Sequence, residues 1–421
     1  MPHPPSRHAD GSRLGRCHPA GRVRPAGRGG RRRAGGPALS AAKGAFARHL
    51  ETLDLTGLSA RNERATDADV TAALERGDGH RDLDDLAALL SPRATGRLEE
   101  LAQAARAATL RRFGRAVRLY APLYVSNECL SSCTYCGFAR GLPIARRTLT
   151  VDEVETEARI LTGRGFRHLL LVAGEHRVEV SQDYLVAVVE RLRPLVPSLS
   201  IETQTWSDDT YARLVAAGLE GVVHYQETYD RERYAQTHVA GWKRDYDRRL
   251  NSTELAASAG VRRLGVGALL GLATDWRADV LAVAAHAAFL VRRFWRTEVT
   301  VALPRIKPSA SGYQPLLPVP DAEYVQALAA LRLFEPEAGI VLSTREPAAL
   351  RDGLVRIAVT SMSAGSSTEP GGYSHPGEAT EQFSISDERT PAEVAQMLGA
   401  AGYEPVWKDA FPLVDAVDSP R

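Results

Sequence analysis

Cysteine, methionine and aromatic residues are scarce in this 421-residue chain, which holds four cysteines, three methionines and 6% aromatics. With three of the four cysteines gathered in one short stretch, a disulfide framework is excluded and a reducing compartment is implied, so the expected location is the cytoplasm. No apolar run is long enough to cross a bilayer, and no membrane partner is expected. Acidic residues are nearly missing from the first forty positions, where nine arginines face the single Asp10. Large apolar side chains are missing there too, so residues 1–40 cannot bury a core and are expected to be disordered. Such a basic segment could serve as a transit or RNA-binding arm. Its prolines and glycines break the amphipathic helix a transit peptide needs, and an unstructured or mis-assigned start is the preferred reading, with Cys17 a bystander. Once this tail is set aside, the formal +2 of the whole becomes −6 for the remaining 381 residues. A general nucleic-acid surface is therefore not expected.

What is present, with 44% hydrophobic residues, suffices for one large core. Residues 41–114 read as helical, most clearly from Gly96 to Phe113, where apolar residues recur at three and four before Gly114. From there strands and helices alternate. Expected strands are Val117–Val125, His168–Ala173, Leu199–Gln204, Gly221–Gln226, Arg263–Leu269, Glu298–Pro304, Ile340–Thr344 and Arg356–Thr360. The second reads His-Leu-Leu-Leu-Val-Ala, nearly all apolar, as a strand buried on both faces should. Eight strands with parallel crossovers predict a (β/α)8 barrel of the TIM type. The expected division is a basic tail (1–40), a helical N-terminal extension (41–114), the barrel (115–375) and a C-terminal extension (376–421).

The remaining three cysteines, Cys129, Cys133 and Cys136, follow the first strand within eight residues. Thiolates are soft donors, and three on one short loop can serve a single soft metal centre. Structural zinc takes four protein ligands, as does an electron-transfer cluster, and no fourth cysteine or nearby histidine offers itself. Three ligands on a [4Fe-4S] cluster instead leave one iron open to an outside chelator. This loop resembles that of the radical S-adenosylmethionine (SAM) superfamily, in which the amino and carboxylate groups of SAM hold the open iron. The resemblance includes Tyr135 ahead of the last cysteine.

In such barrels the chemistry sits where strands end and βα loops begin. The second strand runs into Ala173-Gly174-Glu175-His176. The resemblance places Gly174 and Glu175 at the SAM amino group, with His176 an ordinary loop residue. Glu202 and Gln204 end the third strand and suit ribose hydroxyls or a sulfonium, or else a structural hydrogen-bonding pair. Gln226 ends the fourth strand and is a further expected SAM contact. Gly267, in a glycine-rich fifth strand without a dinucleotide fingerprint, would let backbone meet the adenine, or would mark close packing at a bulge. Arg305, after the sixth strand, would clamp a carboxylate. Ser343 and Arg345, after the seventh, could hold an amino-acid head group, although Arg345 beside Glu346 also reads as a surface ion pair.

Taken in order, Tyr-Val-Ser-Asn-x-Cys-x3-Cys-x-Tyr-Cys-Gly-Phe, Gly-Glu-His, Tyr-Gln-Glu-Thr-Tyr (225–229), Gly-x-Gly-Ala-Leu-x-Gly-Leu (265–272), Pro-Arg-x-x-Pro (304–308), Leu-Ser-Thr-Arg-Glu (342–346), Pro-Gly-Gly-Tyr (370–373) and Pro-Val-Trp-Lys-Asp (405–409) are similar to the 2-iminoacetate synthases, the tyrosine lyases of thiamine thiazole biosynthesis. The resemblance implies a [4Fe-4S] cluster on the three cysteines and SAM as cofactors. It implies hydrogen abstraction from L-tyrosine by a 5′-deoxyadenosyl radical, Cα–Cβ cleavage, and 2-iminoacetate and 4-cresol as products. Methionine and 5′-deoxyadenosine come from SAM. Arg305, with Ser343, would bind the tyrosine carboxylate. Thiazole synthase would accept the imine, and a low-potential flavodoxin or ferredoxin would supply the electron. The hydrogenase-maturation tyrosine lyase carries extra C-terminal cysteines, whereas this chain has none after Cys136. A tryptophan lyase, a non-catalytic iron–sulfur carrier and an RNA-modifying radical enzyme are the other readings.

Overall fold

The longest strand, β1 (Ala116–Ser126), organises the molecule because it is paired along both edges. It is followed by β2 (His168–Ala173), β3 (Ser198–Glu202), β4 (Gly221–Val223), β5 (Arg263–Gly267), β6 (Glu298–Ala302), β7 (Gly339–Leu342) and β8 (Ser361–Ser363). Every ladder is parallel, and β1 joins both β2 and β8, which closes an eight-stranded barrel. A ninth strand, β9 (Glu404–Val406), lies beside the first three residues of β1 and was not expected. This computed structural model describes residues 44–407. The expectations for the arginine-rich tail, Cys17, Lys408 and Asp409 fall outside the described residues.

Alternation along β1 explains its unbroken apolar run. Leu119, Ala121, Leu123 and Val125 face the surrounding helices, whereas Tyr120 and Tyr124 join Leu170, Val172 and Phe138 in a separate cluster. A strand in a closed barrel has two buried faces, so both parities are apolar. Charge closes the end of the barrel where the strands begin: Glu298 accepts from Arg118 at 2.8 Å and from Arg263 at 3.0 Å. Arg263 also reaches His168 at 3.2 Å and Ser198 at 3.1 Å.

Four strands (β3, β5, β6 and β7) end two residues earlier than expected, and two expectations change by more than that. Residues 356–360 were expected to form the eighth strand. There the amides of Ile357 and Ala358 instead donate to the Leu354 carbonyl, ending the helix Ala348–Leu354, and β8 starts at Ser361. A short apolar run reads alike as strand and as buried helix end. The fourth strand ends at Val223 rather than Gln226, although His224 and Gln226 still donate to Gly265 and Gly267. The chain then turns at Glu227, which holds a left-handed φ of 70°. For a glutamate this conformation persists only where surrounding contacts over-determine it.

The expected N-terminal helices are present from Ala45–Thr52 to Leu98–Phe113, the last packed on the helix Asp321–Phe334. Thr150 and Glu153 form a capping box that starts the helix Val151–Gly163 directly after the cysteine loop. From that helix the buried Glu157 accepts from the amides of Tyr373 and Ser374, and the Tyr373 hydroxyl donates to the Pro122 carbonyl at 2.6 Å. The Pro-Gly-Gly-Tyr segment thereby pins the long loop after β8 across the barrel mouth.

Candidate active site

The loop after β1 carries the three cysteines into the barrel mouth and is stitched to its neighbours by backbone. Leu130 N–H donates to Glu175 O, Ser132 N–H to Ala240 O and Thr134 N–H to Thr237 O, all within 2.9 Å. The amides of Ser131 and Phe138 each donate to a sulfur at 3.4 Å, those of Cys129 and Cys136 respectively. Such amides favour the thiolate form that iron requires. Without metal, burial and the neighbouring Cys136 push the Cys129 thiol up to about 12, so iron uptake must release protons. Among the described residues no group of three or more histidine, cysteine or carboxylate side chains can hold a single metal ion. The three thiols are the kind of donor a [4Fe-4S] cluster takes.

Around the loop lies a cavity of about 910 Å³, lined by all three cysteines, Gly174, Glu175, Glu202, Glu227, Lys243, Arg249 and Arg345 among others. A second chamber, about 690 Å³, is lined by Tyr120, Tyr124, Tyr225, Ser343, Arg345 and Glu346 among others. The two share Val172, Glu202, Tyr225, Pro304, Arg345, Gln382 and Phe383 as walls. The first chamber has a buried charge network. Lys243 Nζ reaches Glu227 at 2.6 Å, Arg249 reaches Glu175 at 3.3 Å, and Ser131 Oγ donates to Glu175 at 2.9 Å. Burial raises the Glu227 carboxyl, but Lys243 and Arg249 outweigh it and hold the group ionised. Lys243 and Arg249 carried no sequence signal, because both lie in a helical connection after β4, far from any strand end.

Not every residue read from the sequence lines this site. Gly174, Glu175 and Glu202 do. At Gly174 the need is internal, since a Cβ would sit 2.3 Å from the Glu128 carbonyl and 3.0 Å from Cys129 Cβ. Gln204 and Gln226 are turned away: their amides donate to Val180 O at 2.8 Å and Tyr246 O at 3.4 Å. Gly267 is required by close packing, with the Ala302 carbonyl 2.2 Å from where its Cβ would be. His176 accepts the Glu179 amide in its own loop.

Arg305 and Arg345 have different surroundings. Arg305 lines neither chamber; it forks onto Glu346, which is 1% exposed, and reaches Asp321 at 2.7 Å. The ion pair of Glu346 is thus with Arg305 rather than with its neighbour. Arg345 lines both chambers, lies over the Phe383 ring, and has no carboxylate partner among the described residues.

Glu202 stands between the two chambers, and burial, together with the charge of Glu227, raises its carboxyl to about 7. Its favourable share of stability is complete below the ordinary value of 4.5 and is lost as pH rises towards 7. Glu202→Gln removes that loss. The variant is expected to match the parent near pH 4.5 and to exceed it at pH 8 by on the order of 3 kcal/mol. Urea unfolding at the two pH values measures this, and equal gains at both would contradict the assignment.

Comparison with known proteins agrees with this geometry. The radical SAM superfamily model matches residues 123–284, and the Biotin and Thiamin Synthesis associated domain matches residues 303–404. The chain is 41% identical over 364 residues to 2-iminoacetate synthase of Escherichia coli (strain K12), covering 86% of this chain and 96% of that protein. It is 28% identical to 3-methylornithine synthase of Methanosarcina barkeri, over 47% of this chain and 56% of that one. Among solved structures, HydG, a maturase of the [FeFe]-hydrogenase, superposes with a TM-score of 0.79 at 30% identity, covering 85% of this chain and 80% of its own. A three-cysteine loop at the mouth of a closed barrel, a two-chambered lumen above a charge-sealed base, and this degree of identity together place the chain in the 2-iminoacetate synthase family of the radical SAM superfamily.

Proposed function

We infer that the chain cleaves the Cα–Cβ bond of L-tyrosine, giving 2-iminoacetate and 4-cresol. The observation that carries this reading is the pair of chambers, one built on the cysteines and the other walled by aromatics, with Glu202 and Arg345 common to both. When bound at Cys129, Cys133 and Cys136, the [4Fe-4S] cluster with SAM supplies a carbon radical able to abstract hydrogen. The protein's part is to place, orient and shield.

Glu175 and Glu202 face the cysteine chamber as acceptors for the cationic and hydroxyl groups of SAM. Arg345, which has no carboxylate partner among the described residues and reaches both chambers, takes the substrate carboxylate, with Ser343 beside it. Tyr120, Tyr124 and Tyr225 surround the phenol ring. Glu202 is positioned to accept a proton from the substrate ammonium at the start of the reaction. Gln382, which receives the Tyr124 hydroxyl at 2.8 Å and donates to Cys136 Sγ at 3.8 Å, ties the roof loop to both chambers and keeps water out.

No helix among the described residues is long and apolar enough to cross a membrane. Thiazole synthase as acceptor of the imine, a flavodoxin or ferredoxin as electron donor, and a cytoplasmic setting complete the reading. The test is an anaerobic product assay on the reconstituted protein with tyrosine and tryptophan in parallel. Cresol and 5′-deoxyadenosine are expected from tyrosine alone. An indole product from tryptophan, or no deoxyadenosine in either arm, overturns it.

A further inference from the structure

Below the aromatic chamber the lumen continues into a polar cavity that has no part in the reading above. It is lined by Tyr120, His168, Leu170, Ser200, Tyr225 and Arg263 among others. Tyr120, Leu170, Tyr225 and Val341 are walls of both cavities, so the two adjoin. Alternate residues of β2 give the direction, since all three face inward. Val172 lines the aromatic chamber, Leu170 lines both cavities, and His168 lines only the lower one. The step from Leu170 to His168 is about 7 Å along the strand, close to the length of a phenol ring with its hydroxyl. Beneath lies the cluster in which Glu298 accepts from Arg118 and Arg263.

His168 is the one polar residue of β2 and is 7% exposed. A polar ring so buried is costly unless its nitrogens are paired. Its Nε2 meets an Arg263 N–H at 3.2 Å and Ser200 Oγ at 3.4 Å. A guanidinium donates and never accepts, so Nε2 is the acceptor and the ring proton sits on Nδ1. Among the described residues nothing accepts from that Nδ1. Burial, and then the charges of Arg263 and Arg118, push the imidazole well below its ordinary range, so the ring is a neutral donor. Support of Arg263 does not account for this arrangement. It uses Nε2 alone, and Arg263 also holds Ser198 at 3.1 Å and Glu298 at 3.0 Å. Thr300, the other hydroxyl at this level, already donates to the Leu264 carbonyl. The unspent donor of the lower cavity is therefore His168 Nδ1.

We propose that His168 selects the hydroxyl-bearing substrate: its Nδ1–H donates to the phenol oxygen of tyrosine, which reaches past Tyr120 and Tyr225 into the lower cavity. The proposal rests on the tyrosine-lyase reading above and names the residue that reads the far end of the substrate. With the carboxylate held at Arg345 by the mouth, the ring lies along the lumen and its hydroxyl points at the base. A buried donor without a protein acceptor discriminates strongly. It is satisfied by tyrosine and left unpaired by phenylalanine, whose ring is otherwise the same. Arg263 fixes the tautomer, so the donor is in place before substrate arrives.

The test is a set of anaerobic binding titrations on the reconstituted full chain with SAM present and the cluster oxidised, so that nothing turns over. L-Tyrosine and L-phenylalanine are the probes. The parent is expected to prefer tyrosine. His168→Leu should bind tyrosine at least about tenfold more weakly and phenylalanine no more weakly, which removes the preference. His168→Asn, which keeps an N–H donor near the Nδ1 position, should retain most of it; His168→Gln, whose amide reaches the Nε2 position instead, should not. Equal weakening of both amino acids in His168→Leu overturns the proposal and leaves His168 a structural residue. An unchanged preference in that variant overturns it too, by placing the hydroxyl elsewhere, as does a parent that binds both probes alike. Should His168→Leu fail to fold, the asparagine and glutamine variants decide, and equal preferences in those two count against the proposal. If the lyase reading itself is wrong, the parent makes no cresol from tyrosine; if only this inference is wrong, cresol still forms.

Discussion

Cys133→Ala is expected to fold and to lose iron. Cys133 is the most buried of the three thiols, at 4% exposed, and a β-bridge to His238 fixes its backbone whatever its side chain. Removing one sulfur from a small buried site costs on the order of 1 kcal/mol of stability, which a chain of this size tolerates. The same change leaves two protein ligands where the cluster needs three, and with SAM bound a second iron would be open. Iron content, the visible absorption of the cluster and turnover should all fall to background, while circular dichroism and the unfolding midpoint stay near those of the parent. An intact cluster spectrum with full turnover would falsify the ligand assignment.

The second large effect separates two arginines. Arg345→Ala should raise the dissociation constant for tyrosine by about 100-fold, the equivalent of about 3 kcal/mol for a lost charge-assisted fork in a closed site. SAM binding should weaken less than tyrosine binding, although Arg345 also lines the cysteine chamber, and the unfolding midpoint should change little, because among the described residues the Arg345 side chain pairs with no carboxylate. Arg305→Ala should do the reverse. It strands Glu346, 1% exposed, without its cation, and removing one partner of a buried pair typically costs about 3–5 kcal/mol. Paired titrations with tyrosine and with SAM, beside urea unfolding of both variants, decide the matter. Tight tyrosine binding by the Arg345 variant, together with its loss in a stable Arg305 variant, would return the clamp to Arg305.

The barrel was legible in outline because burial on both faces leaves a local mark, a nearly unbroken apolar run, clearest at β2. It failed where that mark is ambiguous: the run at 356–360 is a helix end, and β9 is three residues whose pairing with the start of β1 carries no pattern of its own. The loop after β2 was found because Gly174 and Glu175 immediately follow a strand. Lys243 and Arg249 were missed because they enter the first chamber from a helical connection that reaches the mouth only after the chain turns at Glu227, whose positive φ no sequence pattern announces.

Sequence alone determined the cysteine spacing, and with it a cluster rather than a single ion, together with the alternation that builds a parallel barrel. Both are short-range properties, settled by residues a few positions apart. Tertiary structure decided which charges are free to meet a ligand. Arg305 and Arg345 each follow a strand and look alike in sequence, yet Glu346 is within reach of the first and spends it on the fold. That choice depends on how β6 and β7 bring their ends together across 41 residues of chain, and distance in space does not follow distance along the backbone.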